Sequence, residues 1–420
     1  MAPLRILISG GGIAGNALAF WLSRLGHGVT LVERFPGLRT SGLQLDLRGH
    51  GIEVLRRMKL EEAFRERAVA EEGLELVDSR GRTRAAFGKN TSGKGLQNFT
   101  TEYEIMRGDF CQLLFDTAKD KITPKFGQSI QSLQENDDHV EVVFNNGNKH
   151  CFDLVVGADG VQSQIRRMMF GAGADGMHRL NGIYSAYFLA RKQAAPGEQC
   201  VARTHIATGG RYIMVRRHSP EFVQVYLICQ SSHPRLAGTR PGNIEEEKAA
   251  MAEVFEGVNW EMDWILEALR ESDDFYLERQ AFVKLNSWSQ GRLVLVGDAA
   301  YCSSPNTGMG TTAAIVGAYI LAGEISQHCR GDAPGADGLS TALKAYENKF
   351  RPFMDQVQRG LKENSLWWDV VPTSKLGVEL IYWLVGWVSF FRLNWIGEYI
   401  LREDIKNWDL PQYDAMVKRV

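Results

Sequence analysis

Apolar positions change their period along this chain, and the changes divide it into elements. Ile6, Leu7 and Ile8 form an unbroken run, after which Ala17, Leu18, Phe20, Trp21, Leu22 and Leu25 recur at helical spacing up to Gly26. The first pattern predicts a buried strand, the second a helix packed upon it. A second strand follows at Val29 to Glu33. Alternation returns over Gly42 to Leu47, before a helix from Gly49 to Met58 and two short strands, Leu74 to Asp78 and Thr83 to Phe87. The polar run Gly88 to Gly95 predicts an exposed loop. Residues 104–110 lead into a helix carrying Leu113, Leu114 and Ala118. Residues 140–144 and 149–152 flank Asn145-Asn146-Gly147 and predict a hairpin, because such a dipeptide supplies the positive φ the turn needs. An apolar strand at 154–157 then ends in Asp159-Gly160, ahead of a helix with Arg166 and Arg167.

From Asn181 to Ser231 the texture shifts to strands without intervening helices, at 183–190, 200–207, 212–216 and 222–229. Such a run predicts an antiparallel sheet inserted into an α/β body. Helices follow at 245–255 and 262–269, then a late strand ending in Val296, a glycine-bearing loop and a small-residue helix through Ala313 and Ile325. A long helix is expected over 339–366, bent at Pro352, and an aromatic segment over 376–401. The longest uncharged run of that segment, 380–391, is short for a bilayer, so a packed helical cap is expected, with a membrane-surface helix as the alternative. The expected class is mixed α/β. A discontinuous Rossmann-like domain takes residues 1–72, 98–178 and 275–340, a substrate-binding sheet domain 73–97 and 179–274, and a C-terminal helical region 341–420.

Charge narrows the partners. With 48 basic against 50 acidic residues, no global field recruits nucleic acid. Six cysteines are scattered without C-x-x-C or metal spacing, which points to packed thiols, with neither a metal centre nor a disulfide scaffold. Residues 1–4 leave no room for a signal sequence, so a reducing, cytoplasmic setting is expected. A small-molecule substrate is expected, and monomer and homodimer both remain open.

Gly10, Gly12 and Gly15 spell G-x-G-x-x-G between the first strand and the first helix. One glycine serves the tight turn, one the close approach of a pyrophosphate, one the packing of helix on strand. Glu33 ends the second strand 18 residues past Gly15, where a carboxylate accepts hydrogen bonds from an adenosine ribose and repels a 2'-phosphate. The site therefore expects FAD or NAD rather than NADP. An NAD-dependent dehydrogenase would share this motif.

Three segments in order decide further. G-x-G-x-x-G, Asp159-Gly160 after a mid-chain strand, and Gly297-Asp298 before Pro305, Gly308 and Gly310 span residues 5–360. Together they resemble the FAD-dependent aromatic hydroxylases of the p-hydroxybenzoate hydroxylase type. Within that family, Gly42 to Leu47 and Ile105-Met106-Arg107 are most similar to the tetracycline-inactivating and related natural-product monooxygenases. The resemblance implies FAD as cofactor, with Gly10, Gly12 and Gly15 on the pyrophosphate and Glu33, followed by Arg34, at the adenosine ribose. It implies Arg107 on the pyrophosphate and ribityl region and Asp298 on the ribityl chain, with Asp46 also in the cofactor set. Asp159 and Gly160 would contact FAD and NADPH, and Arg166 would offer charge to the visiting nicotinamide.

Pro305, Gly308, Met309 and Gly310 would meet the flavin ring, their backbone N–H groups stabilising negative charge over N1 and the C2 carbonyl. The implied chemistry is reduction by NADPH or NADH, addition of O2 at the flavin C4a and hydroxylation by the resulting hydroperoxide. It uses no side-chain nucleophile and no metal. Tyr212 and Met214 share a face of one strand, Gln224 and Tyr226 a face of the next. They are either cavity lining for a bulky aromatic, polyketide or indole-type substrate, or ordinary sheet residues. Baeyer-Villiger insertion, epoxidation, decarboxylative oxidation and flavin dehydrogenation remain alternatives on the same fold, as does FAD binding without catalysis. Three positions depart from the family pattern: Tyr301 stands at a frequent His, Thr312 at the usual Asn and Gly317 at the usual Asp.

Overall fold

The computed structural model describes residues 3–39, 42–89, 101–171, 173, 175–217, 219–329, 336–363, 372–390 and 405–417. The chain runs β1 (Arg5–Ser9), α1 (Ile13–Arg24), β2 (Gly28–Glu33), β3 (Gln44–Asp46), α2 (His50–Arg57), α3 (Glu61–Arg65), β4 (Gly73–Val77) and β5 (Thr83–Gly88). Then come β6 (Glu104–Met106), α4 (Arg107–Asp116), β7 (Thr123–Phe126), β8 (Ile130–Glu135), β9 (Val140–Phe144), β10 (Lys149–Phe152), β11 (Leu154–Gly157) and α5 (Gln164–Phe170). It continues through β12 (Met177–Arg191), β13 (Val201–Ala207), β14 (Arg211–Arg217), β15 (Phe222–Gln230), α6 (Pro234–Gly238), α7 (Ile244–Phe255), α8 (Met262–Glu271) and β16 (Tyr276–Val283). The last elements are β17 (Ser289–Gln290), β18 (Leu293–Leu295), α9 (Asp298–Tyr301), α10 (Gly310–His328), α11 (Ala336–Val357), α12 (Lys375–Phe390) and α13 (Asp414–Val417).

Two sheets organise these elements. The first has the order β17-β18-β11-β1-β2-β7, and β1 pairs parallel to both β2 and β11. Ile6, Leu7 and Ile8 are fully buried, as an unbroken apolar run requires when a central parallel strand is covered on both faces. α1 and α10 pack on one another, with the Trp21 and Tyr319 rings 5.4 Å apart. β7 escapes the hydrophobic pattern because it is an edge strand and carries Pro124, which an edge tolerates. The 140–152 hairpin forms, with Gly147 at φ 81°, and adds β8 to make a three-stranded sheet.

The second sheet has the order β16-β12-β15-β14-β13-β4-β5, antiparallel except where β13 meets β4. One face, including Ala186, Phe188, Ile213, Val225 and Leu227, buries itself against Met251, Phe255, Ile265 and Leu269 of α7 and α8. Side chains alternate across a strand, so the other face carries Ser185, Tyr187, Tyr212, Met214, Arg216, Gln224, Tyr226, Tyr276, Glu278 and Gln280. β16 lies inside the 275–340 span given above to the Rossmann-like part, yet it pairs with β12 of the second sheet.

α11 stops at Val357, short of 366, with Pro352 inside it. α12 packs Val378 and Tyr382 on Leu76 and Ala85 of β4 and β5, leaving Leu376, Leu380, Trp383, Leu384 and Trp387 exposed. The remainder of the expected 376–401 segment, 391–401, lies outside the described residues, as does the end of the expected 88–95 loop. Among the described residues no helix is long and apolar enough to cross a membrane.

Two of the three departures form one unit. A β-carbon on Gly317 would lie 1.8 Å from the Tyr301 hydroxyl and 3.0 Å from Phe350. Tyr301 is buried, and its hydroxyl lies 3.2 Å from that of Tyr346. The larger ring at 301 thus occupies the room that a glycine at 317 leaves. Gly317→Ala should destabilise the fold by about 1–3 kcal/mol through overpacking. Tyr301→Phe in that background should recover part of the loss in a double-mutant cycle of urea unfolding. Additive losses would show the two positions to be independent.

Candidate cofactor cleft

The N-terminal loop is built around two glycines that packing demands and a third that leaves space. Gly10 sits at φ 114°, and a β-carbon there would lie 2.4 Å from the Ala158 carbonyl oxygen. A β-carbon on Gly15 would lie 2.0 Å from the Gly10 carbonyl oxygen, so α1 can seat on the turn only without one. On Gly12 it would meet only Arg107 Nη2, at 3.6 Å. Asn16 stiffens the loop by donating to the carbonyls of Gly11 at 2.7 Å and Gly12 at 3.1 Å. Glu33 closes it, accepting from the backbone N–H of Gly11 at 2.8 Å and of Phe35 at 3.1 Å. α1 has no side-chain cap and no acid in its first turn, so its free N–H groups and positive dipole end face the opening.

Arg107, the first residue of α4, lies across that opening. Its Nη1 donates to the Arg39 carbonyl at 3.4 Å, and Gly42, at φ 133°, lets the following loop lie against its side chain. Arg39 is a neighbour the sequence reading missed. Burial and the adjacent Arg107 charge both lower its pKa, so two guanidinium groups share this end of the cleft. Arg34 lies outside the loop, exposed, with its guanidinium 5.0 Å from the Phe35 ring.

The opposite wall comes from the end of β18. Gly297 lies so close to α1 that a β-carbon would sit 2.7 Å from Ala14 Cβ. Asp298 follows. Its side chain is open to water, yet its carboxyl is held above the usual range by the desolvation that surrounding protein imposes, with Arg107 opposing. Open to solvent and crowded by protein at once, it lines a concave wall.

The loop beyond it is strained. Ser304 has φ 63°, uncommon for a residue with a β-carbon, and its hydroxyl donates to Gln280 Oε1 at 3.4 Å. Pro305 opens a single 3-10 turn that ends at Gly308, φ 64°; Met309 is buried and Gly310 begins α10. α10, like α1, has no side-chain cap and no acid in its first turn. A β-carbon on Gly310 would meet nothing within 4 Å, and one on Gly308 only Arg48 Nε at 3.8 Å.

Thr312, at the usual Asn, accepts from the Arg48 N–H at 3.0 Å and lies 3.2 Å from the Arg48 carbonyl, tying the loop after β3 to α10. Asp46 is engaged by buried Arg48, with Nε 2.5 Å from Oδ2. Opposite charges two apart at the end of an alternating strand share a face, a signal that would have found Arg48.

Asp159 and Arg166 are drawn elsewhere. The Asp159 carboxylate accepts from Ser163 Oγ at 2.5 Å, Gln164 N at 2.7 Å and Ile165 N at 3.2 Å, capping α5, and Gly160 makes the turn at φ 80°. Arg166 was expected to meet a visiting nicotinamide. It is instead fully buried, donating to the carbonyls of Ala299 at 3.0 Å and Val161 at 2.7 Å and to Asp175 at 3.2 Å.

Tyr212, Met214, Gln224 and Tyr226 do share one face. Tyr226 donates to Gln224 Oε1 at 3.0 Å, which also accepts from Gln44 N at 3.0 Å, while Gln224 Nε2 lies 3.3 Å from Met106 Sδ. The sheet is thereby joined to β3 and β6, beside Arg107. Tyr212 lies 3.2 Å from Thr204 Oγ1, and burial pushes both tyrosine hydroxyls up. Arg216 bridges Glu71, at 2.5 and 2.7 Å, and Glu104, at 2.6 Å. Arg216→Met would leave two buried carboxylates without their cation, an expected loss of about 3–5 kcal/mol at neutral pH. Urea unfolding at neutral pH measures the loss.

A family model described as FAD binding domain matches residues 4–360. The FAD-dependent monooxygenase asL4 of Sarocladium schorii is 46% identical, the match covering 100% of both chains. The flavin-dependent monooxygenase eupH of Phoma sp is 38% identical over 98% of each chain. The crystal structure of tetracycline destructase Tet(51) superposes with a TM-score of 0.77 at 29% identity, covering 99% of this chain and 100% of that one.

Proposed function

The chain belongs to the FAD-binding-domain family and is an FAD-dependent monooxygenase, and from that premise we propose that it spends NADPH or NADH and O2 to hydroxylate a bulky, apolar aromatic, polyketide or indole-type natural product. The observation that carries the reading is that two uncapped helix N-termini, α1 beside Arg107 and α10 beside Arg48, converge at Gly297, where a β-carbon would lie 2.7 Å from Ala14 Cβ and 3.9 Å from Ala314 Cβ. That arrangement suits an elongated dinucleotide, with anionic charge at its pyrophosphate and, on reduction, at its ring. The donor set fits FAD: guanidinium and backbone N–H groups at one end, a carboxylate beside them, and glycine approach at the other.

Bound FAD supplies the redox ring that takes two electrons from a nicotinamide and delivers one oxygen atom of O2 to the substrate. The chain's residues hold and shield it. Gly10, Gly12 and Gly15 leave room for the pyrophosphate, which Arg107 and Arg39 neutralise, and Glu33 turns from the Gly11 N–H toward the adenosine ribose. Asp298 accepts from the ribityl hydroxyls. The N–H groups of Gly310 and Thr311 at the start of α10 would meet the electron-rich edge of the ring, with those of Gly308 and Met309 bonded inside the loop to the Pro305 carbonyl and Thr307 Oγ1, and Asp46 holds Arg48 beside that loop. Asp159 and Gly160 act indirectly, by fixing the end of β11 against Gly10.

The second sheet presents Tyr212, Met214, Gln224 and Tyr226 to the substrate. An aromatic surface whose hydroxyl and amide groups already bond to one another orients a large ring and keeps water from the reacting carbon. The similarity to a tetracycline destructase supports a polycyclic substrate. We place the enzyme in the cytoplasm, a reading supported by six free cysteines.

The purified chain should be yellow, and a panel of phenolic, indolic and polycyclic compounds should contain one that accelerates NADPH oxidation and acquires label from 18O2. NADPH consumption with unlabelled, dehydrogenated product would sink the oxygenation reading. Asp298→Ala should weaken FAD retention by about tenfold or more, the worth of one charge-assisted hydrogen bond. Undiminished flavin absorbance after gel filtration would remove Asp298 from the cofactor set.

A further inference from the structure

Glu278 is used by nothing described so far. It projects from β16 between Tyr276 and Gln280 onto the polar face of the second sheet, and its Oε2 lies 3.4 Å from the Tyr187 hydroxyl. The Tyr187 ring meets Tyr226 edge-on at 5.4 Å and lies parallel to Tyr276 at 6.5 Å, with Arg39 4.9 Å above the far ring. The Glu278 carboxyl thus lies at the edge of a tyrosine cluster, with the Tyr187 hydroxyl as its neighbour. The charged groups facing it are unfavourable ones. Asp298, the proposed ribityl ligand, acts on it as a like charge, while Arg107 acts on Asp298 and Arg39 on Tyr276. Among the described residues neither Glu278 nor Asp298 takes part in an ion pair. Cys302, the other titratable group nearby, is a buried thiol that both carboxyls hold above its ordinary range.

Glu278, with no ion-pair partner among the described residues and Asp298 acting on it as a like charge, does not ionise cheaply in partly desolvated surroundings. Burial, reinforced by Asp298, raises Glu278 to about 7, and Tyr187 opposes the rise only weakly. Filling the cleft displaces water and adds pyrophosphate charge, both of which disfavour a second anion further.

Resting on the FAD reading above, we propose that Glu278 is a proton-carrying positioning residue for the cofactor: neutral, it lets Asp298 serve as the ribityl acceptor, and ionised, it opposes that role. FAD then binds with uptake of a proton at Glu278 Oε, drawn from solvent, and affinity falls as the free protein loses that proton. No bond to the flavin is made or broken in this step. The same linkage acts on folding. A carboxyl raised in the folded chain holds a proton that the unfolded chain releases, so stability is lost as pH climbs from the ordinary glutamate range through about 7.

FAD titration of the full-length chain from pH 6 to 9, read by flavin fluorescence, tests this with Glu278→Gln, which keeps the neutral shape. The wild-type Kd should weaken above pH 7, by at most about tenfold per pH unit for one proton, and that of E278Q should stay flat. Thermal unfolding without FAD should show E278Q more stable than wild type at pH 8.5 and level with it at pH 5, a contrast a purely packing role would not produce. An E278Q profile as steep as wild type, or a flat wild-type profile, overturns the assignment. If neither chain binds FAD even at pH 6, the cofactor reading itself falls and this one with it.

Discussion

The space that a β-carbon would need at Gly10 and Gly15 is the constraint on which the rest of the structure depends. With clearances of 2.4 and 2.0 Å to carbonyl oxygens, neither position admits any side chain. The absence of those carbons lets β11 reach Gly10 and lets α1 sit directly on the turn. Once α1 is so placed, Gly297 follows, because a β-carbon at that position after β18 would stand only 2.7 Å from Ala14 Cβ. Three distant pieces of chain converge through glycines, and only then are Asp298 and the α10 loop set opposite the first helix. The cleft is thus a consequence of backbone proximity before any side chain contributes charge.

Much of this was legible because it is local. The buried first strand, the helix after it, the 140–152 hairpin and the four central strands of the second sheet each follow from period and turn chemistry within a few residues. β16 was not legible. Its core-facing Leu277 and Ala281 alternate with Glu278 and Gln280, which look like solvent-facing residues but face the second sheet's partner surface. β7 hid for the opposite reason, being a short edge strand with a proline. The Glu71–Arg216–Glu104 cluster joins residues more than a hundred positions apart, and no spacing rule reaches that far. Arg48 was within reach, since its partner Asp46 is two residues away on the same face.

The motif positions divide by what their atoms have left to give. Asp159 and Arg166 are consumed by α5 and the carbonyls around it, so their chemistry is to make the end of β11 rigid. Asp298 is exposed and takes part in no ion pair among the described residues, whereas the N–H groups of Gly308 and Met309 are bonded to the Pro305 carbonyl at 3.0 Å and Thr307 Oγ1 at 3.3 Å. Residue type alone does not separate these groups; hydrogen-bond bookkeeping does. The same test explains the departures. Thr312 replaces an amide with a hydroxyl that still grips both backbone groups of Arg48, and Tyr301 with Gly317 exchanges two polar side chains for one ring of matching volume.

The polar face of the second sheet carries the strongest physical statement about function. β4 and β12 to β16 bury one side against α7 and α8 in the ordinary way, with aliphatic and aromatic residues. The other side holds four tyrosines, two glutamines and a glutamate in an environment that raises every one of the tyrosine hydroxyls by desolvation. It stays polar because its groups satisfy one another: Tyr226 bonds Gln224, Gln280 bonds Ser185, and the face is tethered through Gln224 to Gln44 and through Gln280 to the strained Ser304 loop. A buried polar group so paired escapes the cost of about 1–3 kcal/mol that an unpaired one would carry.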